Sequence, residues 1–205
     1  MDASSLAGRT VDLVRVDLDR HAHDLWQSIG RDAALWAGTP VMPFESEAAF
    51  ADWLRARTDR PDQVLFVLVD KDSAAVTGLL FVLSLVPEMG TGEIGLVYAR
   101  ALQRRTGGTE AVYLALRHLF ETLGYRRVEW RCSPANAASM RAAKRYGFTL
   151  EGVLRKQRWI KGANYDTAVH AIVDDEWPTI AARFAAWLAP ENFTADGRQK
   201  RPLSS

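Results

Sequence analysis

Between Leu102 and Phe120 the chain reads LQRRTGGTEAVYLALRHLF, with two arginines, two adjacent glycines and two threonines leading into an apolar periodicity. Charge and backbone freedom at a helix start suit an anion, because the first-turn amides lack partners and the helix dipole is positive there. Gln103, Arg104, Arg105, Thr106, Gly107, Gly108 and Thr109 are therefore candidates to hold a phosphate. A plain loop capped by Thr106 or Thr109 accounts for the same residues without a ligand. The surrounding elements must decide between the two.

Other residues could carry chemistry. Asn136-Ala137-Ala138-Ser139 opens a second helix, with Asn136 as its N-cap and Ser139 in the first turn. Glu93 lies on a β-rich run, GEIGLVYA. Arg158 and Trp159 lie on another run, and strand alternation puts Arg158 on the same face as Lys156. His21, His23, His118 and His170 lack metal-ligand spacing, so no metal is expected. His118, Glu110 and Glu121 read as helix-surface polarity, and Cys132 as a buried strand residue.

The elements that must position these residues follow from periodicity. TVDLVRVDL reads as a first strand, and a helix follows from a cap at Asp19 to Gly30. A second helix begins at Glu45 and Ser46 and turns Phe50, Trp53 and Leu54 to one face. Three β-rich runs joined by KDS and EMGT form an antiparallel meander. The helix of the opening stretch then runs to Gly124, followed by strand, helix, two strands turning at Lys161–Gly162, and an amphipathic helix. The strand–helix–strand passage from Gly92 to Cys132 requires one parallel crossover. The expected fold is α/β (α+β): a mixed, mostly antiparallel sheet of about seven strands with helices on both faces. Residues 1–189 form one domain and 190–205 a loose tail. In such a sheet a ligand favours the crevice beside the crossover, where the opening stretch sits.

Composition limits the partners. Hydrophobic residues make up 48% and charged residues 25%, and 26 basic against 25 acidic side chains leave a net charge of +1. That balance gives no broad attraction to nucleic acid or membrane, so anion binding must be local. The single cysteine excludes an internal disulfide, no apolar run is long enough to span a bilayer, and the N-terminus lacks signal-peptide order. A cytoplasmic protein is expected, as a monomer or a homodimer.

With both helix starts in view, the chain resembles the GNAT acyltransferases, and within them the ribosomal-protein N-terminal acetyltransferases of the Rim type. The acyl-CoA signature Gln/Arg-x-x-Gly-x-Gly/Ala appears as Gln103-Arg104-Arg105-Thr106-Gly107-Gly108, continued by Thr109-Glu110-Ala111. The family's Asn-x-x-Ser followed by Gly-Phe appears as Asn136 to Ser139 with Gly147-Phe148. Thr106 replaces the first motif glycine. The resemblance implies acetyl-CoA as donor, with its pyrophosphate on residues 103–109. Its pantetheine arm would pair with the backbone of Leu96, Val97 and Tyr98, beside Asn136.

It further implies a primary amine acceptor, on a small molecule or a protein N-terminus, that attacks the thioester directly. Ser139 is the implied acid for the departing thiolate, or else a small residue in a helical turn. The Rim-type glutamate position aligns with Arg158, and an arginine cannot serve as a base. Glu93 is the remaining candidate base, with an exposed or salt-bridged strand glutamate as the plain alternative. Trp36, Phe44, Arg158 and Trp159 are expected around the acceptor. Arg158 would receive an acidic group on the acceptor or a succinyl group on the donor, unless it faces solvent. The rival functions are a catalytically idle acyl-CoA-binding module and a succinyl-type acyltransferase.

Overall fold

The computed structural model describes residues 4–203. Residues 1–3 of the expected domain and 204–205 of the expected tail lie outside them. Among the described residues eight strands form one sheet: β1 (Ser5–Ala7), β2 (Val11–Arg15), β3 (Val64–Asp70), β4 (Val76–Val86), β5 (Thr91–Tyr98), β6 (Arg127–Cys132), β7 (Thr149–Ile160) and β8 (Ala163–Val173). Their spatial order is β1-β2-β3-β4-β5-β6-β8-β7. All neighbours are antiparallel except β5 and β6. The eighth strand, beyond the seven expected, is β1. Three residues are too few to register as a period-2 pattern.

Six α-helices among the described residues cover the sheet: α1 (Leu18–Leu25), α2 (Ala33–Trp36), α3 (Glu47–Thr58), α4 (Thr106–Arg117), α5 (Ala137–Tyr146) and α6 (Trp177–Leu188). Because both faces are covered, β3 is apolar from Val64 to Val69 rather than alternating. Phe66 and Leu68 pack towards α4 and α6, while Leu65 and Val67 pack with Leu25, Phe50 and Leu54 of α1 and α3. Two helix starts follow their caps. Ser46 accepts from the amide of Ala49, and Asp17 accepts from Asp19 and Arg20. Asp17, not Asp19, is thus the first cap.

The helix of the opening stretch carries the largest corrections. Glu110 is 5% exposed rather than a surface charge. Its carboxylate accepts from the amides of Arg9 and Thr10 at 2.6 Å each and of Val11 at 3.2 Å, and from the Thr10 hydroxyl. A carboxylate tolerates burial when backbone donors surround it, and here it joins α4 to the start of β2. His118 is also buried, with Nε2 unpartnered among the described residues. The described part of the expected tail, residues 190–203, packs against the domain. Leu203 joins the main core, Asn192 Nδ2 donates to the Trp187 and Arg201 carbonyls, and Trp187 Nε1 donates to Gln199. Its polar composition hid one buried leucine and one bonded asparagine.

Candidate active site

The crossover creates the site. β5 and β6 pair only from Thr91–Arg127 to Glu93–Glu129. Beyond that point β5 continues on β4, with Leu96 opposite Leu80 and Val97 opposite Leu79, while β6 continues on β8. The β6-facing edge of Leu96, Val97 and Tyr98 is left without a strand partner among the described residues, which is a template for an added extended chain. A cleft of about 630 Å³ opens there. A Cβ built on Gly95, which lines it, meets nothing within 4 Å.

At one end of this cleft lies the charged loop. Arg104 has φ +62, and α4 starts after Arg105 with no side-chain cap among the described residues. Neither Thr106 nor Thr109 caps the helix; the Thr109 hydroxyl instead accepts from Arg145 at 2.9 Å. The amides of Thr106, Gly107 and Gly108 are first-turn donors of an uncapped helix, as an anion requires. Tyr98 stands 3.6 Å from a Cβ built on Gly108. Of residues 103–109 only Gln103 lines the cleft itself, so the loop forms its rim.

The second helix start forms the opposite wall. Asn136 is the N-cap: Oδ1 accepts from the Ser139 amide at 3.1 Å, and Nδ2 donates to the Gly38 carbonyl at 3.1 Å. A side chain at Gly38 would sit 2.5 Å from that Nδ2, so the close approach requires glycine. Lys161 clamps the same loop from the β7–β8 turn, donating to the carbonyls of Trp36 at 3.1 Å and Thr39 at 3.0 Å. Ser139 accepts from Trp130 Nε1 at 2.9 Å, which leaves its own proton to donate, with the Cys132 thiol within its reach.

Glu93 lies at the point where the strands separate, with its side chain 15% exposed. Burial pushes its carboxyl up from the ordinary range; Arg131 opposes the rise, Glu129 adds to it, and Arg158 opposes it. Of the plain alternative, an exposed or salt-bridged strand glutamate, the exposed half does not hold and the salt-bridged half does, with Arg131 Nε at 3.8 Å. Tyr146 also lines the cleft, and burial pushes its hydroxyl up to about 12, so it keeps its proton at neutral pH.

Among the expected acceptor residues, Trp36 and Arg158 line the cleft, and Phe44 and Trp159 do not. Phe44 is absorbed in an aromatic cluster, edge-on to Trp36 at 5.1 Å and against Phe50 at 5.0 Å. Trp159 is 71% exposed on the edge strand β7. Arg158 lines the cleft as expected, beyond a bulge in β7 between Leu154 and Arg158 that the plain strand alternation did not include. Lys156 there has φ +52, and its amide donates to Asp166 at 2.7 Å. An inserted bulge resets which side chains share a face. Sequence reasoning missed Arg57, Gln63, Arg131 and Tyr146. Arg131 was legible in principle, since RRVEWRC alternates its charges; nothing local marks Arg57 or Gln63.

Residues 11–149, more than half of the chain, match the model of the Acetyltransferase (GNAT) domain. The protein belongs to the GNAT family of acetyltransferases. A GCN5-related N-acetyltransferase from Brucella melitensis is 36% identical with a TM-score of 0.92, over 97% of this chain and 91% of that one. A probable GNAT-family acetyltransferase from Chromobacterium violaceum is 41% identical with a TM-score of 0.82, over 85% and 88%. The ribosomal-protein acetyltransferase RimL, in complex with coenzyme A, shares the fold at 20% identity and a TM-score of 0.73, over 83% and 98%. The resemblance to the GNAT family therefore holds, with the likeness to RimL one of fold, and this chain is a GNAT N-acetyltransferase.

Proposed function

We propose that this GNAT enzyme transfers an acyl group, acetyl in the simplest case, from acyl-CoA to a primary amine by direct attack. The observation that carries the reading is the separation of β5 from β6 after Glu93, with an uncapped helix start at the rim and a buried carboxylate within. The donor's pyrophosphate rests on the first-turn amides of α4 with Arg104 and Arg105, and its amide-bearing arm pairs along Leu96 to Tyr98.

Glu93 takes the proton from the acceptor ammonium, directly or through a water. The neutral amine attacks the thioester carbonyl, and the tetrahedral intermediate collapses with loss of the thiolate while the nitrogen's surplus proton passes to the Ser139 oxygen as Ser139 gives up its own. Ser139, its oxygen held by the Trp130 indole, supplies the proton that the sulfur takes up. Proximity in the cleft supplies much of the acceleration. The acceptor is a small-molecule amine or a protein N-terminus.

Amine-dependent thiol release from acetyl-CoA, run with a panel of primary amines, tests the reading. Release with at least one amine supports it. Calorimetric binding of acetyl-CoA with no release for any amine would instead describe an idle acyl-CoA-binding module.

A further inference from the structure

Two guanidiniums in the cleft have no role in the chemistry above. Arg57 reaches in from α3, stacked over Trp53 at 5.4 Å, and Arg158 reaches in from β7 beyond its bulge. Neither donates a hydrogen bond or forms an ion pair with another described residue. The other cleft arginines are occupied. Arg60 grips Asp62 with bonds of 2.9 and 2.8 Å, and Arg131 holds Glu129 at 2.6 Å. The lining therefore carries four arginines against two carboxylates, Asp62 and Glu93. Gln63 lines the cleft too, 5% exposed, and its Nε2 has no hydrogen-bond partner among the described residues. A buried donor left unpaired is costly, and a bound acceptor group would satisfy it.

We infer that the acceptor is an amine that also carries a carboxylate or similar oxyanion, received by Arg57 and Arg158 with Gln63 beside them. The planar forks of arginine suit a two-oxygen anion, and a cation cluster repels a polyamine. Glu93 then faces the ammonium end of the same molecule, so the cleft presents opposite charges to the two ends of a zwitterion. This rests on the amine-transfer reading above and deepens it. The acceptor, rather than the donor, is assigned the anion because Gln63 and Arg57 lie on the α3 side of the cleft, away from the donor rim on α4.

The test uses matched acceptors, amino acids and short peptides each paired with the corresponding amide, and acetyl-CoA as donor. The parent should prefer the carboxylate member by about tenfold or more in kcat/KM, the scale of a charge-assisted contact. Arg57→Gln and Arg158→Gln should each erode that preference mainly through the acceptor KM, with the acetyl-CoA KM unchanged. Equal use of both members by the parent, or an identical preference in parent and variants, would overturn the inference while leaving amine transfer intact. A preference for succinyl-CoA over acetyl-CoA that is lost in Arg158→Gln, with amides as good as acids, would move the anion to the donor and also overturn it. No transfer to any amine would remove the underlying reading and the inference with it.

Discussion

Arg131 Nε lies 3.8 Å from Glu93 Oε2 but only 2.6 Å from Glu129 Oε2. Glu129 in turn is held at 2.8 Å by Arg127, which also grips Glu151 at 2.6 Å. The charge of Arg131 is thus largely committed elsewhere, and Glu93 keeps the raised carboxyl that its burial imposes. In the proposed reaction Arg131 would act through Glu93, as a positioning residue. Arg131→Gln removes a cation that favours the ionised form and leaves Glu129 more negative, so the Glu93 carboxyl rises further. A base works only when deprotonated. The acid limb of the kcat/KM profile should therefore move to higher pH in Arg131→Gln, and an unmoved limb would separate Arg131 from the base.

Arg105 precedes α4 in an extended conformation, φ −99 and ψ 160, the backbone of a good N-cap, yet it provides no cap. Arg105→Asp should cap the helix and raise stability by about 0.5–2 kcal/mol, the usual worth of an N-cap. The same carboxylate would compete for the amides and repel phosphate, so CoA affinity should fall by about tenfold or more. Urea unfolding and calorimetry should show the two effects with opposite signs. A variant that binds CoA as well as the parent would remove the phosphate from this helix start.

Glu110 offers a prediction about stability alone. Glu110→Ala leaves the part-buried amides of Arg9 and Thr10 and the buried amide of Val11 without their acceptor, and a buried unsatisfied donor costs about 1–3 kcal/mol. A substantial loss in urea unfolding is expected, with β2 and α4 losing hydrogen-exchange protection together. An unchanged midpoint would mean that this carboxylate is not the clasp between them.

Three histidines set a pH dependence of folding. Burial lowers His21, His118 and His170 from the ordinary value of 6.5. The native state therefore binds fewer protons than the unfolded chain as pH falls through that region. Their contribution to stability is present above pH 6.5 and is lost as pH falls from there through the lowered native values. Thermal midpoints should decline between pH 7.5 and 5, and less steeply in His118→Gln.

The sequence was most informative where function rests on backbone placed by local signals. The helix starts at Thr106 and Asn136, the crossover between β5 and β6, and the Lys161–Gly162 turn all follow from glycine, cap and periodicity patterns. Readings failed where a distant partner decides the outcome. Glu110 looks exposed on its helix until the start of β2 closes over it, and Phe44 looks like a pocket wall until Trp36 and Phe50 take it. The bulge at Lys156 went unread for a third reason, since it depends on Asp166 across the strand pair. Arg57 and Gln63 reach the cleft only through packing of α3, which no local pattern encodes.

The central claim is that the buried carboxylate of Glu93 takes the acceptor's proton in the cleft between β5 and β6. The direct measurement is amine-dependent thiol release from saturating acetyl-CoA by the parent and by Glu93→Gln, with acetyl-CoA affinity measured on both. Loss of a general base costs about 10²–10⁴-fold in rate. The account predicts a fall of that size in kcat, equal donor affinity and an undiminished melting temperature. Thiol release by Glu93→Gln at the parent's rate would contradict it.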